Sequence, residues 1–181
     1  MRILGVDPGT RATGYGVVDL EGSRLRRVAG GVIRPGAGSL GQRLAGIQAR
    51  LAALIEEFGP DSTAVEGVFS ARNARSALTL GHARGVALAA LAASGLETGE
   101  YSPSQVKLAV TGHGAAGKPQ VQQMVQRLLG LRDPPPADEA DALAVAICHG
   151  HSQVGRRGRE RDPALRAREK RVGKGGTGAE A

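Results

Sequence analysis

The chain has 181 residues, a length that suits one domain, and carries 24 Lys or Arg against 17 Asp or Glu, a net charge of +7. Apolar residues make up 41% of it, but with two Phe, two Tyr and no Trp the core must be built from Ala, Val, Leu and Ile. A single cysteine, Cys148, excludes an internal disulfide and any Cys-rich zinc site, and fits a reducing cytoplasm. The N-terminus runs straight into a strand pattern instead of a signal sequence, and no apolar run approaches the roughly 18–20 residues of a membrane span. A soluble cytoplasmic protein is expected.

The first elements read as strands: Arg2 to Asp7, then Gly14 to Leu20, then Leu25 to Ile33, with Gly22-Ser23 as a hairpin signal. From Ser39, Leu40, Leu44, Ile47, Leu51, Leu54, Ile55 and Phe58 recur at helical spacing until Gly59-Pro60. Thr63 to Glu66 is a short buried strand, about 73 to 94 an Ala-rich helix with several Arg, and Leu96 to Tyr101 a last strand. Ser102-Pro103-Ser104 opens a helix through Val110, Gly112 to Gly117 form a loop, and Pro119 to Leu129 form another helix. After Pro134-Pro135-Pro136 a final helix is expected from Ala137 to about His149. Three strands followed by alternating helices and strands predict an α/β domain over residues 1–151, a mixed sheet with helices on its faces. Residues 152–181 hold nine Lys or Arg against four acids and show no apolar period, so a disordered basic tail that attracts polyanions is expected.

Four carboxylates stand at element ends. Asp7 closes the first strand, Glu66 closes the fourth, and Asp138 and Asp141 lie three apart, on one face at the start of the last helix. If the first and fourth strands are neighbours, all four share one site. Such a cluster raises its own pKa values, a conflict that divalent cations remove. Hard oxygen ligands suit Mg²⁺ or Mn²⁺, and a pair of such ions activates water and stabilises the leaving oxygen of a phosphodiester. Taken singly, Asp7 before Pro-Gly also reads as a turn residue, and Asp138 with Asp141 as complements to the helix dipole. Glu66 is harder to explain alone, because Glu is rarely buried unpaired.

Gly112-His113-Gly114-Ala115-Ala116-Gly117-Lys118-Pro119 nearly spells a phosphate-binding loop, but Pro119 replaces the metal-binding hydroxyl and the loop follows a helix instead of a strand. It reads better as a flexible loop that delivers Lys118 to a phosphate, with Lys107 on the preceding helix. His149 and His151 lack a second ligand pair at zinc-like spacing and read as surface or helix-end residues.

DPGTRATGYGVV, VEGVFSARNARSALTLGHARGV, YSPSQVKLAVTGHGAAGKPQVQQMV and ADEADALAVAICH, in this order and spacing, resemble the RuvC family of bacterial crossover junction endodeoxyribonucleases from about residue 2 to 151. The resemblance implies a ribonuclease H-like fold with a five-stranded sheet, and a homodimer that resolves Holliday junctions by paired symmetric nicks in recombination and repair. It implies that Asp7, Glu66, Asp138 and Asp141 are catalytic metal ligands for Mg²⁺, with Mn²⁺ as substitute and two ions per site. It also implies that Lys107 and Lys118 support DNA binding and catalysis, and that Phe69 stacks near the junction centre. Arg72, Arg75 and Arg84 are placed on phosphates, the Ala and Leu of their helix in the dimer interface, and the RuvA-RuvB branch-migration complex among the partners. Another ribonuclease H-like nuclease and a junction-binding architectural protein without catalysis are the rival readings. The sugar-kinase type of ATPase needs a second lobe that this length lacks.

Overall fold

The computed structural model describes residues 1–67 and 74–161, with 157–161 as helical backbone only. Phe69 and Arg72, and the expected disorder of 162–181, lie outside the described residues. Strands β1 (Arg2–Asp7), β2 (Thr13–Glu21) and β3 (Arg24–Ile33) form an antiparallel meander. Gly22, at φ 62°, makes the tight β2–β3 turn that a side chain would strain. Then follow α1 (Leu40–Phe58), β4 (Ser62–Glu66), α2 (Ala74–Ala93), β5 (Thr98–Tyr101), α3 (Pro103–Thr111), α4 (Lys118–Leu128) and α5 (Ala137–Arg161). The sheet order is β3-β2-β1-β4-β5, with β4 parallel to both β1 and β5. The first and fourth strands are therefore neighbours, as the shared site requires.

Alternation along the strands sends side chains to two cores. Ile3, Val18 and Ala64 face α3, α4 and α5, whereas Leu4, Val6, Val17 and Val65 face α1 and α2. Helices thus cover both faces of a mixed five-stranded sheet, the expected architecture. Helix α5 lies almost on the strands because they offer glycine beneath it. A Cβ on Gly5 would stand 2.4 Å from the Ala142 carbonyl oxygen, and one on Gly14 would stand 2.0 Å from that of Asp138. Ser39 and Ser102 cap α1 and α3 in reciprocal capping boxes with Gln42 and Gln105.

Three features differ from the expectations. Helix α5 continues through Arg161, past the predicted end near His149, so 152–161 of the expected tail is helical; the Arg-rich sequence there carries no apolar period to announce it. His149 is buried, not a surface residue: Gly99 leaves room for its ring, its Nδ1 pairs with the Tyr101 hydroxyl at 2.9 Å and its Nε2 with Ser62 Oγ at 3.2 Å. Burial holds its pKa below the usual histidine range. Finally, α2 is long and apolar enough, by length and composition alone, to cross a membrane, although Arg75, His82 and Arg84 interrupt it. It buries Ala83, Ala87, Ala90 and Leu91 and leaves Leu78 64% exposed.

Candidate active site

Two parities bring Asp7 and Glu66 together. Ile3 and Ala64 point toward α5, so Gly5, Asp7 and Glu66, an even number of residues further on, point the same way. Val6 pairs with Val65 in the parallel register, which sets Asp7 and Glu66 side by side at the C-terminal edge. Helix α5 runs back along β1 from that edge, so Asp141 in its second turn meets them. The three carboxylates line one cleft of about 810 Å³ together with Lys107 and Lys118.

The turn after Asp7 is fixed locally. Buried Thr13 donates from its hydroxyl to the Gly9 carbonyl at 2.7 Å and accepts from the Gly9 N–H at 3.2 Å. A Cβ on Gly9 would stand 2.3 Å from the Ala12 carbonyl oxygen, so only glycine closes this turn. Beyond Glu66, the Gly67 N–H donates to the Tyr101 carbonyl at 2.7 Å and ties the end of β4 to β5. Sequence reasoning missed Thr13; the pairing of a buried-strand threonine with a D-P-G turn was the available signal.

The charges explain one another. Burial, then the neighbouring Glu66 and Asp141 carboxylates, push the Asp7 pKa up to about 8, and Asp7 holds its proton in a hydrogen bond donated to Glu66. Glu66 is also raised, by burial and by Asp141, while Lys118, Lys107 and the Asp7 bond oppose the rise. The Lys118 ammonium donates to Asp141 Oδ2 at 2.9 Å and is raised in turn by that carboxylate. Carboxylates that protonate instead of ionising side by side are a donor set short of positive charge.

That donor set is all oxygen, which fits a hard divalent cation. Among the described residues, however, no three His, Cys, Asp or Glu side chains converge closely enough to hold one. Asp138 does not line the cleft, so the expectation of four carboxylates in one pocket is met by three. Asp138 acts there at longer range, through its charge on Lys118. Its backbone is held instead, with the carbonyl pressed over Gly14.

The remaining candidates separate. The Gly112–Gly117 loop joins α3 to α4 and delivers Lys118 into the cleft as expected, with α3 carrying Lys107 on the other side. Arg75 lines a shallower groove with Thr10, Ser76 and Thr79, adjoining the cleft through Leu80. Arg84 is paired with Glu100, so its charge is already neutralised.

Over residues 3–149 the chain matches the family described as crossover junction endodeoxyribonuclease RuvC. The chain belongs to the RuvC family. The RuvC of Marinobacter nauticus is 55% identical over 149 residues, covering 82% of this chain and 85% of that protein. The RuvC of Bordetella avium is 54% identical over 153 residues, 84% of each chain. Among solved structures, Thermus thermophilus RuvC in complex with a Holliday junction superposes with a TM-score of 0.79 at 36% identity, covering 86% of this chain and 96% of that one. The RuvC fold is ribonuclease H-like, in agreement with the sheet order and the helices on both faces.

Proposed function

We propose that this chain is a metal-dependent endonuclease that resolves Holliday junctions by symmetric nicks, with the cleft at the ends of β1 and β4 as its active site. The observation that carries the reading is the juxtaposition of Asp7, Glu66 and Asp141 with Lys107 and Lys118 in one cleft, in a chain of the RuvC family. Asp7, Glu66 and Asp141 would draw together around Mg²⁺ or Mn²⁺, two ions per site, once the cation charge relieves their mutual repulsion, with Asp138 joining them as the first turns of α5 adjust. Bound there, the cations supply an activated water and positive charge for the phosphodiester. With the site so occupied Asp7 would be ionised, its proton passed to solvent, and Lys118 would be free to leave Asp141 for the phosphate. Lys107, across the cleft, holds the same backbone. Arg75, in the first turn of α2, would contact the DNA in the groove that adjoins the cleft, and Phe69 and Arg72 are assigned to DNA contact by the family resemblance alone.

The active form is a homodimer. Leu78, Gly81, Gly85 and Ala89 are exposed at three- and four-residue spacing along α2, an apolar stripe that a second copy would cover. A four-way junction has pseudo-twofold symmetry, so an isologous dimer offers two equal sites to opposing strands. The protein works in the cytoplasm, where the RuvA-RuvB complex supplies the migrated junction.

The decisive experiment is cleavage of a synthetic four-way junction with Mg²⁺ or Mn²⁺, mapping both strands. Symmetric nicks are expected, with Asp7→Asn binding the junction but not cutting it. Equal cutting of linear duplex, or full activity of Asp7→Asn, would refute the reading. Binding without cleavage in any divalent metal would favour the architectural alternative.

A further inference from the structure

Helix α5 must hold Asp141 at one angle and height, yet around that residue its contact with β1 and β2 is smooth. Ala142 and Ala146 lie against Gly5 and Gly14, and Leu143 lies over Gly16. Surfaces of alanine and glycine approach closely, but dispersion contacts are non-directional and oppose rotation or sliding only weakly. His149 ties the middle of the helix to β4 and β5; near the cleft, the directional contact with the sheet is made by Glu139. It is buried, it accepts from Arg27 Nε at 2.8 Å, and Arg27 Nη2 stands 2.7 Å from the same oxygen. The partner is 112 residues away in sequence, on β3.

Two irregularities of β3 make this pair possible. A register shift opposite Val17 and Val18 inserts one extra residue between Arg27 and Ala29. Regular alternation would send Arg27 and Gly30 to opposite faces; the bulge turns both toward α5. Gly30 then leaves the space that the Glu139 carboxylate fills, since a Cβ there would stand 2.6 Å from its Oε1. Successive helical residues turn by about 100°, so Glu139 points roughly 160° away from Asp141. It grips α5 on the side opposite the cleft.

We propose that the Arg27–Glu139 pair is a positioning device that sets the rotation of α5 and thereby the placement of Asp138 and Asp141 against Asp7 and Glu66. The proposal rests on the nuclease reading of the cleft. At a side-chain radius of about 5–6 Å, a rotation of about 10° moves the Asp141 carboxylate by about 1 Å. Displacement of that size costs on the order of a hundredfold in rate. A partly buried ion pair is poor evidence for stability, because apolar residues of similar volume often serve as well; its use here is direction.

The test compares wild type with Glu139→Gln and with the double variant Arg27→Leu/Glu139→Leu, in which apolar packing replaces the pair and preserves the fold. Three quantities are measured: junction affinity in EDTA, the single-turnover nicking rate at saturating junction, and Mn²⁺ affinity by electron paramagnetic resonance. Junction affinity is expected within about twofold of wild type, nicking about 10–100-fold slower and Mn²⁺ binding several-fold weaker. Charge reversal, Arg27→Glu/Glu139→Arg, should recover part of the rate. A folded double variant with wild-type nicking and Mn²⁺ affinity overturns the proposal, as does a rate loss that only follows the unfolded fraction. Should wild type not nick the junction, the nuclease reading falls, and the Mn²⁺ affinities still decide whether the pair positions the carboxylates.

Discussion

Replacing Asp7 by Asn should stabilise the metal-free protein, and increasingly so as pH rises. The folded state holds the Asp7 proton up to about pH 8, whereas an unfolded chain releases it near the ordinary aspartate value of 3.8. Between those values the native state binds more protons, so this group's contribution to stability is fully present below the lower value and is lost as pH rises toward the upper one. A tenfold change in proton affinity corresponds to about 1.4 kcal/mol, so the interval represents at most ~6 kcal/mol. The proton is shared in a coupled cluster with Glu66 and Asp141, so removing one charge should recover about half, ~3 kcal/mol. For a chain of this size that is about 6–12 °C in Tm. Thermal melts in EDTA from pH 5 to 8.5 should show the Asp7→Asn advantage small at the acid end and near its maximum at pH 8. Adding Mg²⁺ at pH 8 should raise the wild-type Tm and leave that of Asp7→Asn almost unmoved. A variant no more stable than wild type at pH 8 in EDTA, or an advantage that does not change with pH, would refute the electrostatic account of the cleft.

Three further outcomes follow from particular contacts. Gly14→Ala places a methyl 2.0 Å from the Asp138 carbonyl oxygen, where neither backbone yields cheaply, and should cost about 2–3 kcal/mol in urea melts. Arg75→Ala should lower the slope of log junction affinity against log salt by about 0.9, the mark of one lost phosphate contact, while Arg84→Ala should leave it unchanged because Glu100 already holds that charge. Equal slopes for both variants would contradict the assignment. If α2 forms the proposed dimer interface, wild type should sediment as a dimer and Leu78→Glu as a monomer, and the two nicks of a junction should then lose their coordination.

The strands and most helix boundaries were legible because their signals are local. Ser39 and Ser102 announce capped helices, Gly22 a two-residue turn, and Asp7-Pro8-Gly9 an abrupt strand end. The end of α5 was not legible, since a sequence rich in arginine and glycine offers no apolar period from which to read a helix. His149 was misjudged for a related reason. Its burial depends on the absent side chain of Gly99, fifty residues earlier and on another element, and on hydroxyls from Ser62 and Tyr101.

Within the site, the sequence by itself determined the chemistry: which carboxylates end strands, that Asp138 and Asp141 are three apart on a helix, and that Lys118 leaves a glycine loop. Strand alternation and helical period are properties of the local backbone, so they carry over directly. Only the tertiary structure decided which charges meet. Parallel pairing of β1 with β4 joins Asp7 to Glu66, the glycine floor under α5 brings Asp141 to them while holding Asp138 aside, and the β3 bulge gives Glu139 its arginine. Those outcomes depend on distances between segments far apart in the chain, set by close packing across the whole sheet, and no local pattern encodes them.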